Sequence, residues 1–163
     1  MTILIALLII VTITIISKYN NHHHDQHHNN DSNHSSGIFS ELEANIMVFK
    51  SGQKSTYFIS LDTLFITNEL KKVIIKLINE VFGPTNEEEI IPIASHTHYA
   101  PALEEKRTKL GNKDKKYYSF LLNQLEILVK NLKSIPFEKV ELKYSEKVTK
   151  GITCNRRRKV RRL

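Results

Sequence analysis

Six apolar residues, Leu70, Val73, Ile74, Leu77, Ile78 and Val81, fall at i, i+3, i+4, i+7, i+8 and i+11, which is one continuous stripe along an α-helix. Lys71, Lys72, Lys76 and Glu80 lie largely off that stripe, so one face is dry and the other wet. Thr67 or Asn68 is placed to cap the start, and Gly83-Pro84 stops the helix. Such a helix must bury its stripe, and the segments around it are β-forming. Residues 46–49 and 56–61 (TYFISL) are separated by the turn signal Ser51-Gly52 and read as a hairpin feeding a core strand. Residues 89–94 (EIIPIA) form a buried-type strand after the helix, and Pro92 removes one ladder donor there, which favours a strand end or a sheet edge. A second amphipathic helix is predicted over 114–132, with Tyr118, Leu121, Leu122, Leu125, Leu128, Val129 and Leu132 on one face. Val140, Leu142 and Tyr144 then alternate with charged neighbours, as in a half-buried strand. The order strand, helix, strand, loop, helix, strand predicts an α/β fold, a partial βαβ layer domain whose mostly parallel sheet is flanked by helices.

The remainder of the 163-residue chain divides by composition. Residues 1–17 are a hydrophobic signal-like or anchor segment. Their run TILIALLIIVTITIIS suits a secretory h-region and is slightly short for a membrane span, yet it lacks a basic n-region and a clear cleavage site. It reads either as a signal or anchor, placing the protein in the secretory route or at a membrane, or as an upstream extension foreign to the domain. Residues 18–40 are a low-complexity linker holding six of the eight histidines among Asn, Asp, Gln and Ser, with little to bury. Such tracts bind zinc or copper loosely, without the fixed ligand geometry that catalysis needs. Residues 41–155 carry the folded domain and 156–163 a basic tail. The tail supplies Arg156, Arg157, Arg158, Lys159, Arg161 and Arg162, so of the formal net charge of +7 only 7 − 6 = +1 belongs to everything else. A single cysteine, Cys154, excludes an intramolecular disulfide.

Residues 95–101, Ser-His-Thr-His-Tyr-Ala-Pro, follow the 89–94 strand directly, and loops at strand carboxyl ends are the usual ligand sites of open α/β sheets. His96 and His98 are the only histidines outside the tract, and their i, i+2 spacing lets an extended backbone turn both imidazoles to one side. A catalytic zinc takes about three protein ligands and leaves a position for water, so two histidines are a partial set. By spacing alone such a pair is more often a hydrogen-bonded structural pair or a surface feature than a metal site.

Phe58-Ile59-Ser60-Leu61-Asp62, the first helix, Ile93-Ala94-Ser95-His96-Thr97-His98 with Pro101, the second helix and Asn155-Arg156 together resemble the neutral/alkaline ceramidase family in order and spacing. That resemblance implies hydrolysis of the N-acyl amide of ceramide to sphingosine and fatty acid by a zinc-activated water. It implies His96 as a zinc ligand, His98 as the second histidine beside the metal and the scissile amide, and Arg156 as the arginine of the family's Asn-Arg motif near the active site. The chemistry is coherent: zinc acidifies its water and polarises the amide carbonyl, a neighbouring imidazole relays the proton, and Arg156 orients a substrate oxygen. Asp62 is placed either to support a metal-site histidine or to cap the approach to the helix. The chain departs from the family at Tyr99 to Glu105, where glycine-rich small residues are usual, so its lipid amide substrate is expected to differ. The family's opening Asp-Ile-Thr strand and its later ligands, a histidine, a glutamate and a tyrosine, have no counterpart here. The expectation is a fragment, inactive alone, that needs the missing part of the catalytic domain. The alternative is a membrane-anchored binding protein whose Arg-rich tail contacts anionic lipid. No aromatics interleave the arginines, so specific nucleic-acid binding is not expected.

Overall fold

The computed structural model describes residues 3–15, 40–105 and 112–151. Five strands form one sheet in the order β4-β3-β2-β1-β5. They are β1 (Ile3–Ile15), β2 (Leu42–Ser51), β3 (Lys54–Leu61), β4 (Ile90–Ala94) and β5 (Glu138–Leu142), with helices α1 (Asn68–Phe82) and α2 (Lys115–Asn131). The α/β class holds, but the sheet is mixed rather than mostly parallel. Among the described residues only β3 and β4 pair in parallel, while β1 pairs antiparallel with both β2 and β5, and β2 antiparallel with β3. The reason is local. Ser51 pairs with Lys54 across a two-residue loop that opens on Gly52 at φ +60, and such a tight turn can only return the chain antiparallel.

The unit β3-α1-β4 is the one parallel crossover among the described residues, and the sequence pattern for it holds. Thr67 is the cap of α1, its Oγ1 accepting from the Leu70 amide at 3.1 Å, and Gly83 ends the helix at φ +88, a left-handed position open to glycine. α2 starts one residue inside the expected boundary, because the Asp114 carboxylate caps it by accepting from Lys116 and Tyr117 amides. β4 lies at one edge of the sheet, the place that Pro92 favours. The final strand is two residues earlier than the alternation suggested, at Glu138–Leu142.

On β2 and β3 the alternation is strict. Leu42, Ala44, Ile46 and Val48, and Tyr57, Ile59 and Leu61, are buried, and with Leu70, Ile74 and Ile78 of α1 and Leu121, Leu125, Leu128 and Val129 of α2 they form one core. Each large side chain so buried contributes roughly 1.5–3 kcal/mol relative to exposure. The hydrophobic run read as signal-like or anchor is β1, an inner strand of the sheet from Ile3 to Ile15. Among the described residues no helix is long and apolar enough to cross a membrane.

Register fixes which loops gather together. Leu61 pairs with both Ala44 and Ala94, and Ile13 with Ala44. The carboxyl ends of β3 and β4, the start of β2 and the end of β1 therefore share one rim.

Candidate functional site

β3 and β4 leave this rim side by side, and backbone bonds cross between their exits. The Ser95 amide donates to the Leu61 carbonyl at 3.0 Å and the His96 amide to the Thr63 carbonyl at 3.1 Å. This second bond pulls the chain into a sharp turn, and His96 takes φ +63, the only non-glycine at positive φ among the described residues. A side chain with a Cβ pays roughly 1–2 kcal/mol there. Strain of this kind collects at functional sites when surrounding contacts over-determine it.

The turn directs the His96 ring toward the β3 exit loop, where Nδ1 lies 2.8 Å from the Leu64 carbonyl oxygen. A carbonyl only accepts, so Nδ1 carries the proton and Nε2 presents its lone pair. A backbone carbonyl holding the far nitrogen is the arrangement that orients metal-ligating histidines. Phe65 stacks edge-on, with ring centroids 5.2 Å apart, and the His98 ring meets His96 at 5.4 Å and 88°. Both rings are exposed. The two imidazoles that the sequence singled out are thus together.

His96 also lines a cleft of about 320 Å³ whose wall is the β3 exit loop, Leu64 to Thr67, the first residue of α1, Asn68, and across from them Glu104. Among the described residues of its lining Glu104 is the one formally charged side chain. Neither Glu104 nor Phe65 was singled out from sequence. Glu104 falls in the stretch noted only as a departure from the family pattern, and nothing local marks it. The Leu64 carbonyl had no sequence signal either, since its role depends on the left-handed turn at His96.

Asp62 does not approach the histidine. Its Oδ2 accepts from the Glu43 amide at 3.0 Å, fastening the β3 exit to the start of β2. Arg156 lies outside the described residues, as do Cys154 and most of the 18–40 linker. Among the described residues no group of three or more His, Cys, Asp or Glu side chains is placed to hold a metal ion. Two imidazoles supply part of a zinc donor set and leave it short of three.

Beside the cleft, Lys113 ties the loops together. Its Nζ lies 2.8 Å from the Glu69 carboxylate and 3.8 Å from the centre of the Tyr118 ring, and the ammonium holds the Glu69 carboxyl below its usual range. Burial, with the Glu69 charge and a hydrogen bond to Glu69 behind it, pushes the Tyr118 phenol up to about 12. The adjacent Asp114 amide donates to the Ala102 carbonyl at 3.1 Å, so the start of α2 also braces the loop that carries Glu104.

Comparison with protein-family models gives no match, and none of the curated proteins is similar enough to be a relative.

Proposed function

We propose that residues 41–155 are part of a zinc-dependent amidohydrolase resembling the neutral ceramidases, acting on the N-acyl amide of a ceramide-like lipid, with the remaining metal ligands supplied from outside the described residues. The observation that carries this reading is the His96 ring. It stands at the carboxyl end of the parallel β3-β4 pair, its Nδ1–H is committed to the Leu64 carbonyl, and its Nε2 lone pair is left for a ligand. A bound zinc would supply a more acidic water and a polarised amide carbonyl. The chain's own part is then definite. His96 offers one nitrogen donor, fixed in orientation by the backbone, and the proposed role of His98, whose ring centroid lies 5.4 Å from that of His96, is to hold or pass a proton. Arg156 is proposed, from the resemblance alone, to orient a substrate oxygen.

The test is zinc binding by the whole chain with the six tract histidines replaced by asparagine, followed by competition with a chromophoric chelator. His96→Ala is expected to weaken zinc binding at least tenfold, the order seen when support of a metal site is lost. Unchanged affinity in His96→Ala would overturn the reading.

A further inference from the structure

The strands are apolar on both faces, and both described helices pack on one of them. Leu42, Ala44, Ile46 and Val48 of β2 and Tyr57, Ile59 and Leu61 of β3 share a single core with α1 and α2. The residues between them alternate onto the opposite face. There the register sets Met47 beside Phe58, Phe58 beside Ile91, and Ser60 beside Ile93. Phe49 meets Phe58 edge-on, with ring centroids 5.7 Å apart. On the other flank the β1 positions paired with Phe49 and Met47 are Leu8 and Ile10, and β5 brings Val140 and Leu142 to the same side. Ile93 and Leu142, on the two outer strands, are 44% and 45% exposed. A sheet face that meets water carries polar residues at these alternate positions, so an apolar second face is the pattern of a sheet buried between two layers.

The layer that completes it can be argued from charge and size. Residues 18–36 and 156–162 are polar or basic in sequence and hold too little apolar surface to supply it. Glu43, Lys54 and Glu138 stand at the ends of their strands and leave the middle of the face uncharged. An uncharged centre of Phe, Met and Ile inside a charged rim is the anatomy of a protein–protein interface, whereas anionic lipid calls for a basic rim. Growth of the sheet sideways is blunted, because Pro92 removes a donor from outer strand β4 and outer strand β5 carries Glu138, Lys139 and Glu141. Face-to-face packing is the remaining mode. Five strands at a spacing of about 4.8 Å make the face roughly 20 Å wide, the scale of the smaller specific interfaces. At a two-fold axis this patch meets itself, apolar centre on apolar centre, with no like charges brought together in the middle.

We propose that the open sheet face is a homodimer interface, on which a second copy of this chain lays its own sheet face and buries Met47, Phe49, Phe58 and Ile91 between the two sheets. The assignment does not depend on a metal at His96.

The experiment is sedimentation equilibrium of the full chain from about 1 to about 100 μM, with chelator present so that the histidine tract cannot bridge copies through a metal. A reversible dimer is expected, with a Kd on the order of micromolar for an interface of this size. Ile93→Lys and Leu142→Lys, at side chains that are already partly exposed, are each expected to weaken it at least tenfold, with urea midpoints confirming that both variants fold. Ile127→Lys, 41% exposed on α2, is expected to leave the dimer unchanged. A chain that stays monomeric across the whole range would overturn the proposal, as would a dimer indifferent to both Ile93→Lys and Leu142→Lys or weakened equally by Ile127→Lys. A monomer that instead floats with phosphatidylcholine vesicles, and ceases to in Ile93→Lys, would make the face a lipid-binding surface and overturn it as well.

Discussion

The body of the β3-β4 pair and the rim just beyond it lie a few residues apart and are built on opposite terms. Within the strands, Tyr57, Ile59, Leu61 and Ile90 are shut away under the helices, and their conformations are those that β-branched and aromatic residues favour. Past Leu61 and Ala94 the chain exposes Tyr99 at 58% and both histidines, and holds His96 in a left-handed turn through hydrogen bonds to Thr63 and Leu64 rather than through packing. The body sets stability, and the rim spends a little of it on geometry.

The strongest way to break this contrast is to cut into the core. Leu128→Ala, at a side chain on the fully buried face of α2, is expected to cost about 2–5 kcal/mol in urea unfolding, whereas His98→Ala at the rim should stay within about 0.5 kcal/mol. Equal losses would mean that the rim is part of the core. A smaller effect of opposite sign sharpens the contrast. His96→Gly is expected to be about 1 kcal/mol more stable than His96→Ala, because glycine accepts φ +63 without a Cβ clash. Identical unfolding midpoints for the two would remove the claim of strain.

The smallest effect concerns Tyr118. Its hydroxyl is buried beside the Glu69 carboxylate, so Tyr118→Phe should change stability by about 1 kcal/mol or less at pH 7. The pH dependence has a definite sign. The folded phenol titrates at about 12 against an ordinary 10.0, so the neutral form is favoured by folding and its contribution is full below 10.0 and is lost as pH rises toward 12. Thermal melts across that window should show a shallower alkaline decline for Tyr118→Phe than for the parent chain, and parallel curves would refute the assignment.

Much of the fold was legible because α1, α2 and the β2-β3 hairpin each carry a period and a punctuation mark: Thr67 and Gly83, Asp114, and Gly52. Strand β1 was not. Its residues are apolar without alternation, a pattern shared by an inner strand and an h-region, and periodicity alone cannot separate them. The parallel sheet was over-read for a related reason. Element order along the chain constrains which strands follow helices, but it leaves open where a long connection reinserts, and here β1 enters between β2 and β5. At the site, His96 and His98 were legible from their place after a buried strand. Glu104 and Phe65 were not, because their relation to His96 is made by the tertiary approach of two loops.

The pairing of Ile15 with Leu42 has a practical bearing on any metal measurement. Those two residues bracket the tract with six histidines, so its two covalent ends are moored at the same rim that bears His96. Imidazoles tethered in this way compete at an effective concentration set by chain length rather than by dilution. Under the zinc reading, an ion offered to the intact chain partitions between tract and rim, and only a chain stripped of the tract's imidazoles reports the rim alone.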